Sequence, residues 1–272
     1  LNSLSEQRHW PAHISAVTSV FYSTEAEMIF SCSKDKTAVW HCSETSVKIG
    51  SFVGESSFTA LEFDAPSKFV FLGDSNGSIT ILRLNGPEAT VVSTLSAHTK
   101  SITSLAWDMD RQLLYSAATD HLVIMWDIGG KKGQAFELNS HNSSVTCLQY
   151  ALHAKRLFSA DDSGSLVCWD MAAKRVVTPE WKTSDSCQLL CANCCSNTTR
   201  FPPMGYELPV RTCNACHSRM QQFPDQFDLT PLAIVSELRQ GVTCMHLQES
   251  TGRLVTAGVD RVLMIWDVKQ LV

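Results

Sequence analysis

Four short apolar runs in this chain end alike. "TAVWH" closes at His41, "IMWD" at Asp127, "VCWD" at Asp170 and "MIWD" at Asp267. Each is of strand character and bounded by turn residues, so the pattern predicts strands set at regular intervals. The tryptophans measure the interval. Trp40 and Trp126 are 86 residues apart, two periods of 43, and Leu82, in "SITILRL" near the midpoint, stands where a tryptophan is expected. Trp126 and Trp169 are again 43 apart, whereas Trp169 and Trp266 are 97 apart, one period and 54 residues more. A fixed period of this length is the signature of a repeat architecture. The surplus reads as an insertion between two repeats.

Other signals return with the same period. A small residue and a histidine (Ala12-His13, Ala97-His98, Ser140-His141) precede an apolar strand, then Ser or Thr, an aspartate turn and the tryptophan strand. The clearest copy is "SAHTKSITSLAWDMDRQLLYSAATDHLVIMWD", residues 96 to 127. With it the chain resembles the WD-repeat β-propellers, all-β folds in which each repeat supplies a four-stranded blade. The resemblance implies that His98, Ser116, Asp120 and Trp126 form a hydrogen-bonded structural tetrad. A buried imidazole and a buried indole N–H both need acceptors, which is the physical demand such a tetrad meets. Less complete copies are His13, Ser31, Asp35 and Trp40; His141, Ser159 and Trp169; and Thr256, Asp260 and Trp266. A histidine, serine and aspartate also make up a hydrolytic triad. Their periodic return argues for structure, because a catalytic site is needed once.

Composition narrows the function classes. The 272 residues are 44% apolar and 18% charged, which fits a folded chain. Twenty-two basic against 27 acidic residues give a formal net charge of −5 without runs of like charge, so nothing marks a nucleic-acid partner. No apolar stretch reaches the roughly 18 residues of a membrane span, and "LNSLSEQRHW" lacks the regions of a signal peptide. A cytoplasmic protein is expected. The first residue is leucine, and with five blades in view of the seven usual for the family, the expectation is an N-terminally incomplete propeller without its closing strand. Cys32, Cys42, Cys147, Cys168 and Cys244 are scattered singly, as buried thiols of a reducing compartment are.

The other six of the 11 cysteines fall between residues 187 and 217, inside the insertion. Cys191/Cys194 and Cys213/Cys216 are two C-x2-C pairs separated by 18 residues, an ordinary spacing for tetrahedral Zn2+. This segment, with "WHCSE" and "VIMWDIGGKKG", resembles the WD-repeat and FYVE-domain-containing proteins. In that family a two-zinc finger is inserted before the final blade and binds phosphatidylinositol 3-phosphate on early endosomes. By that resemblance Trp181 and Asp185 match the N-terminal motif of the finger, Cys187 its first ligand, Cys191 and Cys194 the third pair, Cys213 and Cys216 the fourth, and Arg211 the lipid-binding arginine of the C-terminal motif. The second cysteine pair and the R-x-HHC-x-x-CG segment are missing, and the chain contains no His-His dipeptide. The finger therefore reads as internally truncated. Cys195 or His217 would complete one zinc site, or the two surviving pairs would converge on one ion; the alternative is a cysteine-bearing loop without metal.

The expected organisation is four WD-repeat blades over residues 1–173, a truncated FYVE-like insertion over 174–228 and a final blade over 229–272. The expected function is a non-enzymatic scaffold that binds proteins through the propeller faces, its lipid binding impaired by the truncation. Further readings are a protein-binding propeller without any lipid role, a RING-like ubiquitin ligase finger, and a dithiol redox centre. The RING reading needs more ligand pairs than are present. The redox reading needs a βαβ context, which the sequence lacks.

Overall fold

The computed structural model describes residues 8–129, 135–171, 197–201, 206–212, 231–236 and 241–272, of which 197–201 and 206–212 are described by their backbone alone. The chain is all-β. The first sheet contains β1 (Val17–Ser23), β2 (Met28–Ser33), β3 (Thr37–Cys42) and β4 (Lys48–Val53), each strand antiparallel to the one before. β5 (Phe58–Asp64), β6 (Phe69–Asp74), β7 (Ser78–Asn85) and β8 (Glu88–Ser96) form the second, and β9 (Ile102–Asp108), β10 (Leu113–Ala118), β11 (Val123–Asp127) and β12 (Ala135–Leu138) the third. In the fourth, β13 (Val145–Ala151), β14 (Arg156–Asp161) and β15 (Leu166–Asp170) are followed by a separate hairpin, β16 (Asn197–Phe201) with β17 (Tyr206–Thr212). β18 (Pro231–Val235) then completes the fourth sheet beside β15. β19 (Val242–Gln248), β20 (Arg253–Gly258) and β21 (Leu263–Asp267) form a three-stranded fifth sheet.

The first strands β1, β5, β9, β13 and β19 follow one another side by side, which is the inner wall of a β-propeller. Apolar residues fill the spaces between successive sheets, one cluster to each junction. Three junctions also hold an aromatic pair in the same place. Phe30 meets Phe63 at 4.2 Å between ring centroids, Phe71 meets Trp107 at 4.7 Å and Tyr115 meets Tyr150 at 5.2 Å. Burying such rings against each other supplies much of the cohesion between blades.

Two sequence expectations are corrected by strand register. Pro231–Val235 pairs with Leu166–Trp169 and belongs to the fourth sheet, so the fifth sheet starts at Val242, and the 229–272 boundary is displaced. The cysteine-bearing segment thus joins the third strand of the fourth sheet to the fourth; it does not separate two sheets. The second correction concerns Trp40. Ser116 lies opposite Ile124, Ser159 opposite Val167 and Thr256 opposite Met264, with Trp126, Trp169 and Trp266 two residues further on. Ser31 lies opposite Val39, and two residues further on is His41. His41, not Trp40, holds the tryptophan position of the first sheet. Trp40 points to the other side, packs with Phe58 and Leu61, and donates its indole N–H to the Gly86 carbonyl at 3.4 Å.

Candidate functional site

In each antiparallel sheet the turn between second and third strands lies at the same end as the connection to the neighbouring sheet. The histidines sit in those connections and the aspartates in those turns, which is why residues about 22 apart in sequence meet. In the third sheet His98 Nδ1 lies 3.1 and 3.0 Å from the two oxygens of Asp120, and its Nε2 lies 2.8 Å from Ser116 Oγ. Trp126 Nε1 donates to the same Ser116 Oγ at 2.8 Å. A carboxylate only accepts, so Nδ1 carries the imidazole proton and Nε2 accepts from the serine hydroxyl. The chain of donors runs Trp126 to Ser116 to His98 to Asp120. Asp120 also accepts the backbone N–H of Thr99 and of Leu122, closing the loop against the turn.

The direction of these bonds is that of a Ser-His-Asp triad, yet the surroundings are those of a core. Ser116 is wholly buried and His98 nearly so, and the serine oxygen is already occupied by the indole. Burial holds the His98 pKa below its ordinary value, against the opposing pull of Asp120. Asp120 shows the reverse balance: burial raises its pKa, but the Thr99 N–H and His98 bring it below the usual range.

The arrangement recurs. His13 reaches Ser31 Oγ at 2.8 Å and Asp35 at 3.2 Å, without an indole, since His41 stands in its place. His141 reaches Ser159 Oγ at 2.6 Å while Trp169 donates to that oxygen at 2.9 Å. Its carboxylate partner is Asp161 at 2.8 Å, a residue that sequence reasoning missed because it precedes the expected turn position by two. In the fifth sheet Trp266 donates to Thr256 Oγ1 at 3.0 Å, and Asp260 accepts from the Val262 N–H. In the second sheet Leu72 takes the serine position opposite Thr80, and Ser56 and Asp74 bond at 2.5 Å.

Sequence reasoning also missed a set of threonines. Each first strand starts with an apolar residue and a threonine: Val17-Thr18, Phe58-Thr59, Ile102-Thr103, Val145-Thr146 and Val242-Thr243. Thr18 donates to the Phe58 carbonyl at 2.8 Å, Thr103 to that of Val145 at 2.7 Å and Thr146 to that of Val242 at 2.6 Å, each bond crossing to the next sheet.

Cys187, Cys191, Cys194, Cys213 and Cys216 lie outside the described residues, as do Cys195 and His217, and Arg211 is described by its backbone alone, in β17. Among the described residues no group of three or more His, Cys, Asp or Glu is placed to hold a metal ion. The five described cysteines are free thiols. Burial raises the pKa of Cys147 and of Cys168 to about 11, so neither is an activated nucleophile. No described helix is long and apolar enough to cross a membrane. The cysteine-bearing segment leaves β15 at the end opposite the histidine-aspartate bonds. There Met171, the last described residue before it, donates its N–H to the Lys155 carbonyl and accepts a bond from Arg111 through its own carbonyl.

The sequence matches the family "WD domain, G-beta repeat" over residues 4–40, 89–127, 133–170 and 231–267. It is 50% identical to WD repeat and FYVE domain-containing protein 2 of Caenorhabditis briggsae, the alignment covering 99% of this chain and 72% of that protein. The chain belongs to the WD repeat and FYVE domain-containing family. Protein 2 of Homo sapiens is 39% identical over 100% of the chain and 74% of its own length, and protein 1 of Bos taurus is 39% identical over 100% and 73%. These alignments run over 301 or 302 positions against the 272 residues of this WD repeat and FYVE family member, so the relatives carry some 30 residues for which it has no counterpart.

Proposed function

We propose that the chain is a non-enzymatic scaffold whose propeller loops hold partner proteins, and that it has lost the lipid anchor of its family. The observation that carries the first half is the fate of the serine, histidine and aspartate side chains. In three sheets they are bonded to one another inside the core, which leaves turn backbone and exposed side chains as the surface a partner meets. The turns at the two ends of the sheets are the docking surface, and no nucleic acid is expected on a chain of net charge −5.

The second half rests on charge and on the missing residues. Residues 174–228 contain six basic and five acidic side chains, a surplus of one. Each basic residue near an anionic membrane contributes about 1 kcal/mol, so one surplus charge does not hold a protein there. The sequence lacks the histidine pair and the second cysteine pair that the family's finger uses. Cys187, Cys191, Cys194, Cys213 and Cys216 supply thiolates enough for one tetrahedral Zn2+, with Arg211 as the remaining candidate for a lipid phosphate. An early-endosome address passes to this chain only so far as that segment still binds lipid; otherwise it is a cytoplasmic protein-binding propeller.

Elemental analysis of the purified chain is expected to give one zinc, lost on Cys191→Ser. Vesicles containing phosphatidylinositol 3-phosphate are expected to float no more of the chain than neutral vesicles do. Saturable, head-group-specific flotation abolished by Arg211→Ala would overturn the loss of the anchor. A fluorophosphonate probe, which labels activated serines, is expected to leave the folded chain unmodified, and labelling at Ser116 would sink the non-enzymatic reading.

A further inference from the structure

At the tryptophan position of the first sheet a titratable ring replaces the indole. His41 is 4% exposed. It is covered by Trp10, from the segment leading into β1, with ring centroids 5.6 Å apart and planes at 56°. Trp10 stands three residues ahead of His13, as Leu95 does ahead of His98 and Leu138 ahead of His141. Leu95 packs against the cluster holding Trp126, and Leu138 belongs to the cluster holding Trp169. In the third and fourth sheets a leucine packs in the cluster of the tryptophan; here a tryptophan lies against a histidine. The exchange keeps the position covered and changes its chemistry.

Trp126, Trp169 and Trp266 are each bonded to a strand hydroxyl. At the first sheet Ser31 is bonded to His13 with no indole beside it, and the Trp10 indole N–H is buried without a partner among the described residues. The groups that face His41 are Lys48, its cross-strand neighbour on β4, and His13 on the leading segment, while from β2 its neighbour is Ile29. Arg8, further along the same segment, donates to Ser46 Oγ at 3.5 Å. Every one of these charged or titratable groups is a base, so among the described residues a proton on His41 meets no counter-ion there. Burial first, then Lys48 and His13, hold its pKa below the ordinary histidine value.

We propose that His41 is a proton-operated latch: Trp10 rests on the neutral imidazole, and protonation of that imidazole lifts the segment Arg8–Pro11 off the first sheet. The sign follows from linkage. A histidine whose pKa is lower in the closed form favours closure fully above its free value, about 6.5, and that advantage is lost as pH falls below it. His13 does not let go with the rest. It is bonded to Asp35 at 3.2 Å and to Ser31 at 2.8 Å, so the segment stays pinned at that end.

Hydrogen exchange of the full chain, followed by mass spectrometry and corrected for intrinsic rates, tests the latch. Protection of residues 8–11 is expected to fall between pH 7.5 and pH 5.5, by no more than about tenfold because pH 5.5 lies only one unit below the free value, while peptides from β9 to β11 keep theirs. In His41→Asn, and in His41→Trp, which restores the residue of the other sheets, protection is expected to be the same at both pH values. Unchanged protection in the parent chain would overturn the latch. An equal loss in either folded variant would overturn it too, assigning the effect to His9 or His13. The imidazole titration of His41 in the parent needs no variant, and a midpoint at or above about 6.5 would be equally fatal.

Discussion

At the scale of single residues, His13, His98 and His141 each tie the segment leading into a sheet to a turn or strand end of that sheet. Replacing His98 by alanine removes the acceptor of the Ser116 hydroxyl and a donor to Asp120 inside the core, and leaving such groups unsatisfied costs about 1–3 kcal/mol. The variant is expected to melt earlier and to keep every binding property of the folded chain; stability equal to that of the parent would count against the tetrad. Burial lowers the pKa of His98 and of His141, in each case against the pull of an aspartate. The unfolded chain therefore takes up protons first, and stability is expected to decline as pH falls below about 6.5, a decline that His141→Gln should lessen. The members of the third-sheet tetrad were legible because the resemblance to WD-repeat propellers implies them and residues 96 to 127 are its clearest copy. Asp161 was not, because a carboxylate at the end of β14 reaches the same histidine as one in the turn. Nor was His41: beside a tryptophan in "VWH" nothing but strand register tells which of the two rings faces the neighbouring sheet.

At the scale of strands, the sequence repeat and the sheet are out of step by one strand, and this explains the displaced boundary at 229. A ruler made of tryptophans counts third strands and is silent about which sheet the next strand joins. Pro231–Val235 joined the fourth sheet because its alternating pattern places Ala233 and Val235 against the cluster around Phe158 and Cys168. The same logic ties sheet to sheet through the threonines. Thr146 donates to the Ala160 carbonyl at 3.1 Å within its sheet and to the Val242 carbonyl at 2.6 Å across the junction. Thr146→Val keeps the shape and removes the donor, so it is expected to lower the melting free energy by about 1 kcal/mol, with the loss of protection concentrated in β19. A uniform loss over all sheets would mean that the bond adds nothing specific to the junction. The dipeptides that start each first strand carried this signal in the sequence. They went unread because threonine in a strand is ordinary and only the neighbouring carbonyl makes it a tie.

At the scale of the molecule, each sheet is stabilised by the one beside it, so the two outermost faces of the array differ from all the others. Val17 of the first sheet is 52% exposed, whereas its counterparts Ile102 and Val145 are fully buried. Leu263 and Ile265 of the fifth sheet are 72% and 67% exposed, whereas Val123 and Met125, at the same positions of the third, are at 0% and 7%. Val20 and Tyr22 continue the first surface, and β21 ends the fifth sheet without a further strand among the described residues. Apolar faces beside an open strand edge drive association. These 272 residues by themselves are therefore expected to associate in a concentration-dependent way, read by light scattering on a sizing column. The double variant Val20→Glu with Leu263→Lys places one charge on each face and leaves the cores between sheets untouched, so it should shift the chain toward monomer with an unchanged circular dichroism spectrum. A parent chain that stays monodisperse and melts in one sharp step at all concentrations would show that the two faces are covered within the molecule, and the charged pair would then destabilise it rather than keep it apart.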